Sequence, residues 1–143
     1  MIVVESLNQF LGNAYMANKI ELEELQGHYD IVYASTPQLD QFYEPGFGSA
    51  KIEGNKLTGV DALGVIWNAE YQILQNGTIS YEALLNPSDA PSTVGLIDDD
   101  GILSREPQIY NGILNVTKTD RHLILRTTVK QGPITIDVQF RKK

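Results

Sequence analysis

Hydrophobic residues recur every three or four positions near the start of the chain, and this spacing predicts a helix. The apolar face of that helix consists of Leu7, Phe10, Leu11 and Ala14. Side chains separated by three or four residues lie on one side of an α-helix, so residues 1–25 are predicted to form an N-terminal helical segment. Leu7, Phe10 and Leu11 are candidate partner-binding residues, because such a face is typically covered by the rest of the domain or by a second subunit.

Beyond this segment, apolar residues alternate with polar ones, which is typical of β-strands that bury one face. The alternation is clear at Tyr29, Ile31 and Tyr33, and again in the last two strands of the chain. Residues 26–143 contain seven to nine such segments joined by turns. A meander of this length hides its edges by closing on itself, and eight strands enclose a packed core or one small ligand. The sequence therefore predicts a single domain, a mostly β, antiparallel up-and-down β-barrel of about eight strands with an N-terminal α-helix.

Glycine and asparagine residues mark turns between the predicted strands. Gly54-Asn55 fits a two-residue hairpin turn with glycine first, and Asn76-Gly77 is the strongest hairpin signal because both of its positions favour positive φ. Gly59 and Gly64 flank Asp61 at a point where a strand is predicted to bend through a glycine bulge. Asp61 is expected to accept backbone N–H bonds at this bend, and the alternative is a contact with a ligand.

Residues 86–107 form the one long irregular region of the sequence, with three of the six prolines. Within it, Val94–Ile97 or Ile102–Leu103 are expected to pair briefly. The acidic run Asp98, Asp99, Asp100 precedes a glycine, but the region lacks the alternating oxygen ligands and the distal glutamate of a calcium loop. We interpret the run as a solvated acidic turn and as a candidate partner-binding surface.

The charge balance narrows the classes of partner. The chain has 11 Lys and Arg residues against 18 Asp and Glu residues, a net charge of −7, and no basic stripe. Direct binding to nucleic acid is therefore not predicted. The absence of cysteine excludes disulfides and thiolate metal sites. The opening residues, MIVVESLNQF, indicate neither a signal peptide nor a membrane span, so the expectation is a cytoplasmic protein.

The sequence contains no recognisable catalytic pattern. His28 and His122 have no histidine two or four residues away, and they alternate onto the polar face of their strands. The segment GFGS at 46–49 resembles part of a phosphate loop, but no lysine-serine pair follows it. The sequence predicts a protein that binds and does not catalyse, with no metal and no cofactor. An active site assembled from residues that converge at one end of the barrel is the third alternative.

Five aromatic residues share the apolar phase of their strands and are predicted to face the barrel interior. These candidate ligand-binding residues are Tyr29, Tyr33, Trp67, Tyr71 and Tyr81. A lumen lined in this way either binds an amphipathic small molecule, which the hydroxyl groups orient, or is filled by the rings themselves.

Glycine, tyrosine and turn residues within residues 25–143 also carry a likeness to a known family. They are Gly27 with Tyr29, Gly46 with Gly48, Gly54, and Gly59 with Asp61. In this pattern the chain resembles the small lipocalin-like barrels of the GrlR-like family, negative regulators of type III secretion. The resemblance implies a lipocalin-like barrel that forms a homodimer and sequesters a transcription activator.

Two functions follow from these observations. The first is a regulatory module that binds and sequesters a partner protein. The alternative is a carrier or sensor that holds a small amphipathic ligand in the lumen. A sequestering module retains a protein, whereas a carrier retains a molecule of low mass.

Overall fold

Ten β-strands and one short helix make up the part of the chain that the structure describes. The structure, a computed structural model, describes residues 21–36 and 46–143. In chain order the elements are α1 (Leu22–Leu25), β1 (Gly27–Thr36), β2 (Gly46–Glu53), β3 (Lys56–Asp61), β4 (Ile66–Ile73), β5 (Ile79–Asn86), β6 (Leu96–Ile97), β7 (Leu103–Ser104), β8 (Gln108–Lys118), β9 (Leu123–Gln131) and β10 (Ile134–Lys142). Within these residues, no helix has the length and apolar character needed to cross a bilayer. The predicted helical face formed by Leu7, Phe10 and Leu11 lies outside the described residues.

Eight of the strands close into an antiparallel barrel, which confirms the predicted fold. Around the barrel the order is β1-β10-β9-β8-β5-β4-β3-β2, so each strand pairs with its neighbours in the chain once β6 and β7 are set aside. The barrel closes where β1 pairs with β10, for example at Ile31 opposite Phe140. The remaining strands, β6 and β7, form a separate hairpin inserted between β5 and β8.

Helix α1 closes one end of the barrel. Its Leu25 side chain is almost fully buried, and the Tyr29 hydroxyl donates a hydrogen bond to the Leu25 carbonyl at 2.7 Å. The Gln26 side chain accepts from the Gly54 N–H at 2.7 Å and donates to the Gly54 carbonyl at 3.0 Å, which ties the end of α1 to the β2–β3 turn. The Lys142 ammonium donates to the Glu24 carbonyl at 2.6 Å. Apolar burial and these hydrogen bonds together hold α1 across the end of the sheet.

Two predicted hairpin turns lie where the sequence placed them. Gly54 has a φ of +62°, and Glu53 pairs with Lys56, so Gly54-Asn55 is a two-residue turn as predicted. The turn at Asn76-Gly77 is longer than predicted. Leu74 and Thr78 still pair through the Leu74 N–H at 2.8 Å, the Gly77 N–H donates to the Leu74 carbonyl at 2.9 Å, and Gly77 has a φ of +84°. This is a three-residue loop in which a turn is followed by a left-handed glycine.

Replacing Gly77 with valine is expected to lower the free energy of unfolding by more than about 1 kcal/mol, because a β-branched residue adopts positive φ only at a steric cost. Urea denaturation of the wild type and variant measures the loss. Gly77→Asn is the matched control, since asparagine tolerates the left-handed region better. Equal stability of all three proteins would contradict the assignment of this turn.

The predicted glycine bulge at Gly59 is wrong. Gly59 lies inside an unbroken ladder, opposite Ala50 on β2 and opposite Trp67 on β4. A Cβ at this position would lie 2.6 Å from the Ser49 carbonyl oxygen, so glycine is required there by the close approach of β2. The bend falls after β3, where Gly64 has a φ of +93°.

The irregular region covers the barrel end opposite α1. Its two short strands pair at Leu96 with Ser104 and at Ile97 with Leu103, close to the pairing predicted from the sequence. On one side, a Cβ at Gly64 would lie 3.3 Å from the Cα of Ala90. On the other, a Cβ at Gly101 would lie 2.7 Å from Pro133 in the β9–β10 turn. The region therefore extends across this end from the β3–β4 turn to the β9–β10 turn.

Candidate functional site

The barrel contains a cavity of about 280 Å³. Its wall is formed by the barrel strands and by part of the irregular region. Four of the five aromatic residues predicted to face the interior line this cavity: Tyr33, Trp67, Tyr71 and Tyr81. Tyr29 does not. Its side chain has no exposed surface, and its hydroxyl is hydrogen-bonded to the Leu25 carbonyl. Tyr29 therefore fills the barrel interior at the end closed by α1.

Among the described residues, one carboxylate lies in the cavity wall, that of the buried Asp61 at the end of β3. One carboxylate oxygen, Oδ1, accepts the backbone N–H groups of Leu63 at 3.0 Å and Val65 at 3.1 Å. These two bonds confirm the predicted role of Asp61 as an acceptor at the bend. The other oxygen, Oδ2, accepts Trp67 Nε1–H at 3.1 Å and the Tyr33 hydroxyl at 3.2 Å. The carboxylate therefore fixes two aromatic side chains of the wall as well as the turn.

The aromatic rings beside Asp61 pack as a chain along the wall. The Tyr33 and Trp67 ring centroids are 5.6 Å apart with planes tilted by 48°, and those of Trp67 and Phe140 are 6.0 Å apart and nearly perpendicular. Tilted and edge-to-face arrangements are favourable for aromatic pairs. Burial, reinforced by the neighbouring Asp61 charge, raises the pKa of the Tyr33 hydroxyl well above its usual range, so this group stays a neutral donor to the carboxylate.

Glycines lie opposite three aromatic residues, and at Gly46 and Gly112 they make room for the ring, a role that the sequence analysis did not identify. Across neighbouring strands, Gly46 is paired with Tyr33, Gly59 with Trp67, and Gly112 with Tyr81. A Cβ at Gly46 would lie 2.1 Å from the Tyr33 ring, and one at Gly112 would lie 3.3 Å from the Tyr81 hydroxyl. The three pairs become visible only once the register is known, because the partners lie on different strands.

The irregular region forms the outer part of the cavity wall. Val94, Leu96 and Leu103 line the cavity from this side. The Arg105 guanidinium holds the segment in place by donating to the carbonyls of Pro91 at 2.9 Å and Val94 at 2.8 Å. Leu103 retains 47% of its surface exposed, so the apolar lining continues to the surface at this end.

A hydrogen bond also connects the irregular region to the barrel. The Tyr110 hydroxyl on β8 donates to the Ile97 carbonyl at 2.8 Å. Burial, with smaller contributions from the charges of Asp98 and Asp99, raises the pKa of this hydroxyl well above its usual range. Tyr110 also lines the cavity and was not among the predicted site residues.

The predicted acidic surface is the tip of the β6–β7 hairpin. Asp98 accepts the N–H groups of Asp100 at 2.9 Å and Ile102 at 3.0 Å, and Gly101 follows with a φ of +80°. This is the same local geometry as that of Asp61 with Gly64. Asp99 and Asp100 are exposed, as expected for a solvated acidic turn. Within the described ranges, no group of three or more His, Cys, Asp or Glu side chains is arranged to hold a metal ion.

Comparison of the chain with family models, with curated proteins and with solved structures found no significant match. The functional argument therefore depends on the geometry of the cavity and of the barrel surface.

Proposed function

We propose that this protein binds a small amphipathic molecule inside its barrel. The observation that carries the proposal is the cavity of about 280 Å³, with a mostly apolar wall and a cluster of polar groups around Asp61. Ligand sites in proteins combine a mostly apolar lining with a few polar groups that set the orientation of the ligand. The cavity fits that description better than it fits a filled core.

The volume limits the size of the ligand. An engineered apolar cavity of about 150 Å³ holds benzene, so a cavity nearly twice as large accommodates roughly a dozen non-hydrogen atoms. A medium-chain alkyl compound or a phenylalkyl compound has that size. The tail would contact Leu114 and Leu125, which line the cavity toward the end closed by α1, where Leu114 lies opposite Ile79 at the start of β5.

Titration with 1-octanol is expected to produce a saturable change in tryptophan fluorescence, because Trp67 is the one tryptophan of the chain and lies in the cavity wall. Ala83→Leu extends a lining side chain into the cavity and should weaken binding by at least about tenfold. Leu84→Ala is the matched control, since Leu84 is the next residue on β5 and is exposed on the outside. Absence of a saturable change, or equal affinity of both variants, would contradict the proposal.

A protein-binding role is the second candidate, and an exposed apolar patch on the barrel favours it. Leu84 on β5 faces Ile109 on β8, and both side chains are largely exposed. Beside them, Glu70 and Glu82 face each other across β4 and β5 on the same outer surface. An apolar patch with an acidic border fits a partner protein that presents apolar side chains among basic ones. This surface would support the regulator that the resemblance implies, in the cytoplasm as the sequence analysis expects.

Native mass spectrometry of freshly purified protein separates the two candidates. An adduct of low mass that Ala83→Leu removes would support the lumen ligand. A retained protein that Ile109→Lys releases, with 1-octanol binding unchanged, would support the sequestering role. A homodimer that Ile109→Lys converts to a monomer would instead assign the patch to self-association.

A further inference from the structure

The charge of Asp61 has no positive partner among the described residues. Its four hydrogen-bond donors are two backbone amides, an indole and a phenol, all of them neutral. The ion pairs of the described ranges involve other carboxylates, and no Lys, Arg or His of those ranges lines the cavity. Asp61 retains only 7% of its surface exposed. The cavity wall therefore carries a fixed negative charge that hydrogen bonds stabilise but do not neutralise.

This charge acts unequally on ligands of different sign. A carboxylate that entered the cavity would lose its hydration and would also be repelled by Asp61, without a cation in the described wall to compensate. A protonated amine would lose its hydration as well, but it would be attracted by Asp61 at short range in a medium of low dielectric constant. The net charge of −7 on the chain adds to the same preference during the approach of the ligand.

The groups next to Asp61 are also suited to an ammonium. The Tyr33 hydroxyl donates a hydrogen bond to the carboxylate, so its oxygen keeps a lone pair that can accept a hydrogen bond from a ligand N–H. The rings of Tyr33 and Trp67 both belong to donors of Asp61 Oδ2 and lie 5.6 Å apart in the cavity wall, and aromatic faces attract cations. An acceptor, a buried negative charge and two aromatic rings thus converge on one part of the cavity wall.

We propose that the cavity selects ligands with a cationic amine at one end and an apolar alkyl or arylalkyl tail, in preference to carboxylates of the same length. This inference rests on the proposed function and specifies the chemical class of the ligand. The ammonium lies against Tyr33 and Asp61, and the tail extends along the apolar wall. An amine of this kind is fully protonated at neutral pH, as a lysine side chain is.

Octylamine, 1-octanol and octanoate test the inference, because they share a tail and differ only in the charge of the head group. Trp67 fluorescence and isothermal titration calorimetry at neutral pH measure the three dissociation constants. We expect octylamine to bind at least about tenfold more tightly than octanoate, with 1-octanol between them. If octanoate binds as tightly as octylamine while 1-octanol binds, the charge preference is wrong and the proposed function stands. If none of the three ligands binds, both are wrong.

Three substitutions test whether the preference comes from Asp61. Asp61→Asn keeps an oxygen that can accept the two backbone N–H groups but removes the charge, so the ratio of octylamine to octanoate affinity should fall to within about threefold of unity. Asp98→Asn makes the same change in the matching turn of the β6–β7 hairpin and should leave the ratio unchanged. Tyr33→Phe keeps the charge and should preserve the order of the three ligands. A preference that survives Asp61→Asn, or that is lost in Asp98→Asn, would overturn the assignment.

Discussion

Asp61→Ala is expected to lower the free energy of unfolding by roughly 3–5 kcal/mol, the largest effect of any single substitution considered for this protein. The substitution removes the acceptor of four donors at once. Val65 N–H and Trp67 Nε1–H are buried, so each would lose its partner without gaining water. A buried donor left unsatisfied costs about 1–3 kcal/mol. Urea denaturation followed by far-UV circular dichroism measures the loss.

Asp98→Ala provides the comparison for this prediction. Asp98 accepts two backbone N–H groups in a turn of the same geometry, but both bonds are exposed and water can replace the carboxylate. The expected loss is about 1 kcal/mol. The difference between the two variants isolates what burial and the Trp67 and Tyr33 bonds contribute. Equal losses would mean that the Asp61 side chain does not hold the cavity wall together.

Gly59→Val is expected to lower the free energy of unfolding by about 3 kcal/mol or more, through a clash that the chain cannot relieve by moving a flexible side chain. The added Cβ would lie 2.6 Å from the Ser49 carbonyl oxygen and 2.9 Å from the Ala50 Cβ. To accept it, β3 and β2 would have to separate, which weakens the hydrogen bonds of the ladder. Thermal unfolding followed by circular dichroism tests this prediction.

Gly54→Asn is the control for Gly59→Val. A Cβ at Gly54 has no atom within 4 Å, and asparagine tolerates its φ of +62°. We expect a change of less than about 0.5 kcal/mol. The pair distinguishes a glycine required by space from one required by backbone conformation. A small loss of unfolding free energy for Gly59→Val would show that β2 and β3 can move apart to accept the side chain. It would contradict the claim that their close approach requires glycine at this position.

The glycine–aromatic pairs explain how a barrel of eight strands leaves room for a ligand. Barrels of this size are wide enough for side chains to fill the interior. Here, Gly46 and Gly112 have no side chain to fill the interior, and the rings of Tyr33 and Tyr81 opposite them occupy that space. The residual volume is then available beside the rings. The same residues that make the strands look broken in the sequence therefore shape the cavity.

The sequence by itself determined the class of fold and the positions of the turns. Alternating polar and apolar residues encode which face of a strand is buried, and a meander whose edges must be hidden closes into a barrel. Turn residues such as Gly54 act locally, so their positions can be read without the rest of the chain. The acidic turn at Asp98 is local in the same sense.

Only the tertiary structure decided which of these residues meet. Alternation places Tyr29 and Tyr33 on the same face, but it does not give their height along the barrel axis, and so Tyr29 fills the closed end while Tyr33 reaches the cavity. Asp61 was predicted as a turn acceptor because that contact is local. Its contact with Tyr33 joins residues 28 positions apart and depends on the register of three strands. Local preferences act over a few residues, whereas the cavity is made by strand pairing between distant parts of the chain.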